Sequence, residues 1–345
     1  MNGEQRLSDR SNGPVGRIAI LGAGGLGTVL AGYLARAGAT ITLIVRPGRA
    51  ASFPRAIAVE GLASFEAPVQ VAGDPSGLGP FDYLLVCVKG RETAPALATL
   101  RGLRVDRVLS FQNGMGKNES LAALFGKQRV LGGLSMVGGT LIEPGRARQT
   151  LAGPTLVGGL DGGVPAEAIR LAELLAAAGL PAAAVPQVVT REWQKLASFL
   201  PGALVCGLSR LDMARTMLDP DLVRIRIRLG REVATVAAAA GHPLGRLPVF
   251  LTAAALDPVA VERLPGFDQS DGEIAAFFTE TGRALAAQPV AVYPSLATDV
   301  IAGRPTELES TAGDLLQRAA RHGVPVPAIA ECTALLRGVE RAAEG

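Results

Sequence analysis

The sequence predicts a two-domain protein, with an N-terminal α/β domain built on a parallel sheet and a C-terminal domain that is almost entirely helical. Two observations predict this fold class. Over residues 17–187, short β-rich apolar runs alternate with helical segments, as in successive βαβ units. Over residues 188–345, the segments carry helical periodicity with charged exposed faces. A chain of 345 residues is long enough for two such domains.

The composition argues against several classes of protein. The net charge of +3 is mild and no basic run is interleaved with aromatic residues, so nucleic-acid binding is not predicted. No continuous apolar span reaches the length of a transmembrane helix, which argues against a membrane protein. Residues 1–16 are polar and lack the apolar core of a signal peptide, so we expect a disordered leader and a cytoplasmic protein. Three widely separated cysteines, Cys87, Cys206 and Cys332, suit a reducing cytosol and predict no metal site.

A glycine-rich turn follows the first predicted strand, residues 17–21. The turn has the pattern G-x-G-x-x-G and leads into a helical segment, residues 28–37. The first glycine allows the tight turn, the second lets a pyrophosphate approach the backbone, and the third lets the helix pack close to the strand. The helix N-terminus then offers unpaired N–H groups to the phosphates. This context predicts a Rossmann-type dinucleotide site formed by Gly22, Gly24, Gly25, Leu26 and Gly27.

Arg46 follows the second predicted strand, residues 40–45. The adenosine ribose of a bound dinucleotide lies at the end of this strand. An acidic residue there would accept a hydrogen bond from the 2′-hydroxyl of NAD. Arg46 instead offers a guanidinium to a 2′-phosphate, and Arg49 can add a second one. The sequence therefore favours NADP(H) over NAD(H), with a solvated arginine as the alternative interpretation.

Two further strand ends carry polar residues. Residues 81–88 form a near-continuous apolar run, typical of a parallel strand buried on both faces, and this run ends at Lys89. The next strand, residues 108–111, leads to Asn113-Gly114. Asn-Gly is a turn signal by itself, but its place at the carboxyl end of a strand favours a binding site.

The remaining predicted elements complete the two domains. The first domain also contains a small hairpin, a helix, two longer strands, a second helix and a short last strand, at residues 57–71, 92–100, 130–140, 149–159, 165–178 and 181–186. The second domain contains five helices, at residues 191–209, 219–240, 271–287, 306–322 and 327–344.

Lysine is rare in this chain. Only four of its 34 basic residues are lysines, namely Lys89, Lys117, Lys127 and Lys195. A lysine retained where arginine otherwise serves suggests a task that arginine cannot perform, such as titrating in a usable pH range and delivering a proton.

Several landmarks occur in the order and spacing of one protein family. Besides the glycine turn and Arg46, they are Val88-Lys89 followed by Thr93, Gln112-Asn113-Gly114, Trp193-x-Lys195-Leu196, Ser295-x-x-x-Asp299, Thr306-Glu307, Gly313 and Gly323-x-Pro325-x-Pro327. Taken together, these landmarks resemble the ketopantoate reductase (2-dehydropantoate 2-reductase) family. The resemblance covers almost the whole chain, from about Arg17 to Arg341.

The resemblance implies a Rossmann domain plus an all-helical domain of the 6-phosphogluconate-dehydrogenase-like kind, in an enzyme that reduces a 2-oxo acid with NADPH. The reaction implied first is reduction of 2-dehydropantoate to pantoate, a step of pantothenate and coenzyme A biosynthesis. By the same resemblance, Lys195 is the general acid, Glu307 is the carboxylate that helps hold substrate and lysine, and Ser295 contacts the substrate. Lys89 and Asn113 contact the cofactor on its nicotinamide side.

The chemistry of carbonyl reduction agrees with a lysine in this role. Hydride addition to a ketone places negative charge on oxygen, so the site needs a positioned proton donor. A lysine can serve if burial or another cation lowers its pKa toward neutrality. Simpler interpretations stay open: Lys195 as a solvated helix lysine, Glu307 as a solvated first-turn acid, and Ser295 as a helix cap.

The chain departs from the family on the helix of the predicted general acid. Members usually carry asparagines four and eight residues after the lysine, where this sequence has Phe199 and Ala203. Pro201-Gly202 stand between them and can kink or break the helix. Because Phe199 forms no conventional hydrogen bond, it favours a less polar 2-oxo acid such as 2-oxoisovalerate. Alternatively, Phe199 points elsewhere and Ser198 supplies the polar contact.

Two further interpretations stay open. A catalytically silent NADPH-binding sensor is a function of another class, although the retention of both Lys195 and Glu307 counts against it. Apolar helix faces in the second domain permit a homodimer.

Overall fold

The computed structural model describes residues 16–245, 266 and 269–344. Contacts divide the described chain into two compact units. The first contains residues 16–112 and 118–188, and the second contains Asn113–Lys117 together with the described residues from Val189 onward. The segment Asn113–Lys117 was expected in the first domain, but the contacts of this segment assign it to the second unit. Apart from Gly16, the predicted leader lies outside the described residues.

The first unit has the predicted α/β architecture. Its strands are β1 (Arg17–Leu21), β2 (Thr40–Ile44), β3 (Ala56–Gly61), β4 (Phe65–Pro68), β5 (Gln70–Ala72), β6 (Phe81–Val86), β7 (Val105–Ser110), β8 (Leu131–Glu143), β9 (Arg146–Gly159) and β10 (Ala182–Ala184). Its helices are α1 (Gly25–Arg36), α2 (Pro47–Ala50), α3 (Thr93–Ala98), α4 (Lys117–Phe125, whose first residue belongs to the second unit) and α5 (Ala166–Ala177), with short 3₁₀ turns at Gly90–Glu92 and Lys127–Arg129.

Five parallel strands form the first sheet, in the order β5-β2-β1-β6-β7. The central strands are buried on both faces, and Ile18, Ile20, Leu84 and Leu85 have no exposed surface. This burial explains the near-continuous apolar runs that predicted them. Because β2, β1 and β6 are parallel neighbours, their carboxyl ends meet at one edge of the sheet, where dinucleotide sites form in this kind of fold.

A second sheet covers α1. Its strands run in the order β10-β9-β3-β4, and the long β8 pairs antiparallel with β9. β3 and β4 form the predicted antiparallel hairpin. A side chain at Gly25, the first residue of α1, would collide with the carbonyl oxygen of Gly139 in β8. The absence of a side chain therefore lets the N-terminal turn of α1 pack directly on the backbone of β8.

The second unit is helical, as predicted. Its helices are α6 (Val188–Ser209, whose first residue belongs to the first unit), α7 (Met213–Leu218), α8 (Pro220–Ala239), α9 (Asp271–Ala286), α10 (Ser295–Ile301), α11 (Asp314–Arg321) and α12 (Pro327–Glu344), with a π-helical turn at Glu309–Gly313. Local sequence signals set several helix starts. Asp219 accepts hydrogen bonds from the backbone at the start of α8, and Ser270 with Glu273 forms a capping box on α9.

The expectation that Pro201-Gly202 could break the helix of Lys195 is wrong, because α6 is continuous from Val188 to Ser209. A proline removes one backbone hydrogen bond from a helix. Here burial outweighs that loss, since Leu200 and Leu204 on either side are fully buried. Gly202 also lies against the buried guanidinium of Arg226 on α8, about 3 Å from where a Cβ would stand.

The predicted helix over residues 306–322 is helical from residue 308 to residue 321, but it is not a uniform α-helix. The chain forms the π-helical turn first and continues as α11. In addition, the short helices α2, α4, α7 and α10 were not predicted from the sequence. Apolar periodicity does not distinguish a π turn from an α-helix, and the four missed helices are only four to nine residues long.

Within the ranges that the structure describes, no helix is both long and apolar enough to span a membrane.

Candidate active site

The glycine turn at the end of β1 has the predicted geometry. Gly22 adopts a φ of +101°, and a side chain on it would stand within 3 Å of Val88. A side chain at Gly27 would collide with the carbonyl oxygen of Gly22. The first and third glycines of the pattern therefore serve the tight turn and the close helix packing that were expected of them.

The start of α1 fits the phosphates of a dinucleotide. Gly24 is the N-cap, no side chain caps the helix, and its first turn contains no acidic residue. The space in which a Cβ of Gly24 would stand holds no atom within 4 Å. Nearby, the hydroxyl of Thr28 is buried and has no hydrogen-bond partner among the residues that the structure describes. Leu26 packs against the core, so it can contribute to phosphate binding only through its backbone N–H.

Arg46 lies at the carboxyl end of β2, where the sequence analysis placed it, but it has a partner that the analysis missed. Its guanidinium forms a 2.8 Å ion pair with Glu92, and the two side chains are 71% and 35% exposed. Glu92 lies in the 3₁₀ turn that follows β6. The adjacency of strands β2, β1 and β6 is the signal that could have revealed this acid. Arg49 is an exposed residue of α2.

Lys89 lies three residues after the end of β6. It occupies the N-cap position of the 3₁₀ turn and is exposed. The side chain of Gln112 connects the neighbouring strand ends, since its amide donates to Val88 O at 2.7 Å and to Thr93 Oγ1 at 2.6 Å. The residues on either side of Lys89 are therefore connected by hydrogen bonds, and Lys89 lies in the same unit as the glycine turn.

Lys195 and Asn113 are brought together in the second unit. The Lys195 ammonium donates a hydrogen bond of 3.1 Å to Asn113 Oδ1, across 82 residues of sequence. From the sequence, Asn113 was expected to contact the cofactor and Lys195 to be the general acid. The structure adds a direct link between them that neither motif predicted.

The charge of Lys195 is poorly stabilised where it lies. Burial lowers its pKa from 10.5 to about 7, and the nearby Lys117 ammonium contributes in the same direction. The carboxylates of Glu307 and Glu192 oppose this effect. Both causes that were expected to bring a lysine toward neutrality, burial and another cation, are therefore present.

Lys117 and Glu192 form an ion pair that the sequence analysis did not identify. The Lys117 Nζ–Glu192 Oε1 distance is 3.2 Å, and the side chains are only 4% and 2% exposed. Two signals were available in the sequence. Glu192 precedes Lys195 by three residues on a predicted helix, and Lys117 is one of the four lysines.

Glu307 is half-buried just before the π-helical turn. Thr306 performs the capping there, because its hydroxyl accepts a hydrogen bond from Leu308 N at 3.0 Å. The backbone carbonyl of Glu307 accepts from Ser310 and Thr311 hydroxyls. The capping interaction thus belongs to Thr306, and the Glu307 carboxylate acts electrostatically on Lys195.

The segment Asn113–Lys117 is fixed against the π-helical turn and α11. Gly114 has a φ of +87°, and a side chain on it would collide with Ser310 O. Met115 N donates to Asp314 Oδ2 at 3.2 Å, and Arg318 holds the same oxygen at 3.0 Å. These contacts position the Asn113 side chain that meets Lys195.

The three predicted substrate residues have different environments. The Ser198 hydroxyl donates to Lys195 O within the helix at 3.0 Å. Phe199 is partly buried and packs against the core of the helical unit, while Ala203 is fully buried. Ser295 is the exposed first residue of α10, whose N-cap is Pro294, and its side chain makes no capping hydrogen bond.

Comparison with known proteins identifies the family. The family described as ketopantoate reductase PanE/ApbA matches residues 18–162, and its C-terminal counterpart matches residues 187–340. A 2-dehydropantoate 2-reductase from Caulobacter vibrioides is 30% identical over 326 residues, covering 92% of this chain and 97% of the relative. One from Halobacterium salinarum is 27% identical over 332 residues, covering 94% and 99%.

A solved structure shows the same fold. The crystal structure of a PanE/ApbA family ketopantoate reductase from Ralstonia eutropha JMP134 superposes with a TM-score of 0.75. It is 24% identical and covers 95% of this chain and 100% of its own. Since the two family matches together account for most of the sequence, the chain belongs to the ketopantoate reductase family of oxidoreductases.

Proposed function

We propose that this protein reduces a 2-oxo acid to the corresponding 2-hydroxy acid with NADPH, and that 2-dehydropantoate is the substrate. One observation carries the proposal: a lysine with a pKa lowered to about 7 is hydrogen-bonded to Asn113 in a chain of this family. General acids work best when their pKa lies near the operating pH.

The proposed chemistry divides between hydride and proton. A nicotinamide dinucleotide, when bound, supplies the hydride that reduces the carbonyl carbon. Lys195 donates a proton from Nζ to the carbonyl oxygen, which becomes the hydroxyl of the product, and the lysine is left as a neutral amine. That amine regains a proton from water before the next turnover. Because Asn113 Oδ1 accepts one N–H of Lys195, the remaining N–H directions are restricted, which orients the donor.

Glu307 is proposed to hold both the lysine and the substrate. Its carboxylate favours the charged form of Lys195 and thereby limits the effect of burial and of Lys117. A carboxylate also accepts hydrogen bonds from substrate hydroxyls, such as the one that 2-dehydropantoate carries. Ser295 is proposed as a further substrate contact through its exposed hydroxyl.

The cofactor preference is proposed from the edge of the first sheet. The uncapped N-terminus of α1, at Gly24, Gly25, Leu26 and Gly27, suits the pyrophosphate. Arg46 suits a 2′-phosphate and can leave Glu92, since exposed ion pairs contribute little free energy. Lys89, after the end of β6, is proposed to contact the cofactor on its nicotinamide side.

A less polar 2-oxo acid is the second candidate substrate. Phe199 and Ala203 replace the carboxamides that the family usually carries, and Phe199 packs on an apolar core. A pocket that hydrogen-bonds a substrate hydroxyl discriminates by orders of magnitude, whereas an apolar pocket discriminates weakly. 2-Oxoisovalerate, which lacks the hydroxyl of 2-dehydropantoate, represents this class.

Steady-state rates with a panel of 2-oxo acids test the proposal. The purified protein is assayed with 2-dehydropantoate, 2-oxoisovalerate and an aromatic 2-oxo acid, each with NADPH and with NADH. We expect the highest kcat/KM for 2-dehydropantoate with NADPH. A kcat/KM for 2-oxoisovalerate about a thousandfold higher would replace the first substrate by the second. Tight NADPH binding without turnover of any 2-oxo acid would favour the catalytically silent sensor.

A further inference from the structure

We propose that the buried Lys117–Glu192 ion pair is a positioning device for Lys195, holding the lysine in place and controlling its charge state. The inference rests on the proposed function, because it assigns a purpose to the proton that Lys195 carries. Both side chains are almost completely buried, at 4% and 2% exposure, and their charged atoms lie 3.2 Å apart. Burying two charges is costly, so a pair in this location needs a reason beyond stability.

The pair is attached to Lys195 from two sides. Glu192 lies three residues before Lys195 on α6, a spacing that places two side chains on the same helix face. Lys117 ends the segment whose first residue, Asn113, accepts the hydrogen bond from Lys195. One five-residue segment therefore makes two contacts with one stretch of α6, to Lys195 through Asn113 and to Glu192 through Lys117.

The segment is itself rigidly placed. Gly114 packs on the backbone of Ser310, and Met115 N is held by Asp314. A side chain at Gly116 would stand 3.4 Å from Asp314 Oδ1. Because the middle of the segment is fixed, the ion pair at Lys117 also restricts the position of Asn113 at the other end of the segment. Asn113 in turn orients Lys195.

The charges around Lys195 explain why a pair is used. The groups that act on Lys195 are Lys117, Glu307 and Glu192, and His242 faces Glu192 in turn. Lys117 has the largest charge effect and lowers the pKa of Lys195, while both carboxylates raise it. Glu192 pairs with the buried Lys117 ammonium at 3.2 Å, and its own effect on Lys195 is opposite in direction and smaller than that of Lys117.

The experiment removes the positive charge of Lys117 and measures the titration of Lys195. In Lys117→Met, the loss of a neighbouring cation is expected to raise the titration midpoint of Lys195 by ~1 pH unit. The alkaline fall in kcat/KM for reduction, which follows deprotonation of the acid, then moves to higher pH by the same amount. The constant kcat/KM at lower pH is expected to decrease, because Asn113 is less well held. Lys117→Arg retains the cation, and its alkaline limb stays at the wild-type pH.

A second readout does not depend on turnover. The chain has only four lysines, so NMR of protein labelled at lysine Cε resolves few signals, and each can be assigned by substitution. The Lys195 signal is titrated in the wild type, in Lys117→Met and in Lys127→Met. Lys127 is an exposed lysine of the first unit, and its replacement removes one positive charge without touching the pair. We expect the Lys195 midpoint to move only in Lys117→Met.

A double variant is included in case the single variant fails to fold. Lys117→Met removes the cation that pairs with the buried Glu192, whereas Lys117→Met/Glu192→Gln removes both charges of the pair and is expected to fold. Its Lys195 midpoint still rises, but less than in the single variant, because an opposing charge is lost too. A midpoint equal to that of the wild type in both variants would overturn the inference. If the wild type turned over no 2-oxo acid, the proposed function would fail, while the NMR titration would still decide the role of the pair.

Discussion

Replacing Glu92 by Gln is expected to increase the preference for NADPH over NADH. Glu92 holds the Arg46 guanidinium at 2.8 Å, at the strand end where the 2′-phosphate of NADPH would lie. The Glu92 carboxylate therefore competes with the 2′-phosphate for Arg46, and it also repels the phosphate electrostatically. Glutamine keeps the size of the side chain and removes the charge.

The magnitude follows from the exposure of the pair. Arg46 is 71% exposed and Glu92 is 35% exposed, so breaking their ion pair costs only ~0–1 kcal/mol. A phosphate bound to the other side of the guanidinium would lie ~6 Å from the carboxylate, where like charges in water repel by ~0.7 kcal/mol per unit charge. With a phosphate charge of about −1.5 to −2, the two effects together amount to roughly 1–2 kcal/mol, or about tenfold in Kd.

The assay is a fluorescence titration of NADPH and NADH against the wild type, Glu92→Gln and Glu173→Gln. Glu173 is an exposed acid on α5, so its replacement changes the net charge equally at another place. We expect NADPH to bind about tenfold more tightly to Glu92→Gln only, with no gain for NADH. Arg46→Asp provides the opposite change and should weaken NADPH much more than NADH. An unchanged NADPH to NADH ratio in Glu92→Gln would refute the competition, and an equal loss of both cofactors in Arg46→Asp would remove Arg46 from phosphate recognition.

Three further predictions concern the helical unit. Lys195→Ala should lower kcat by about 10²–10⁴, because a positioned general acid supplies acceleration of that size, and should leave the Kd of NADPH unchanged; a normal kcat would exclude Lys195 from the reaction. The pH dependence of kcat should report the same group. Because its pKa is lowered to about 7, Lys195 carries its proton below that pH, so kcat for reduction should be high in acid and fall as the pH rises through about 7. A fall only near pH 10 would contradict the lowered pKa. Phe199→Asn should raise kcat/KM for 2-dehydropantoate relative to 2-oxoisovalerate by roughly tenfold, since it restores a hydrogen-bonding side chain. An unchanged ratio in a folded variant, checked by thermal unfolding, would show that Phe199 does not face the substrate.

The sequence alone determined those features whose cause is local. Apolar runs marked the central strands, helical periodicity marked the second unit, and the glycine pattern marked the turn between β1 and α1. Each follows from interactions between residues close in the chain, such as the steric freedom of Gly22 or the capping of α8 by Asp219. Lys195 and Glu307 were identified from the sequence too, but through the resemblance to a family.

The tertiary structure decided which distant side chains meet. Lys195 donates a hydrogen bond to Asn113 across 82 residues of sequence. Ion pairs join Lys117 to Glu192 and Arg46 to Glu92. These contacts depend on how strands and helices are arranged in space, which local periodicity does not encode. The continuity of α6 through Pro201 has the same origin, because the burial of its flanking residues outweighs one missing backbone hydrogen bond. The pKa of Lys195 depends on burial and on charges from separate segments, so it is a property of the folded chain alone.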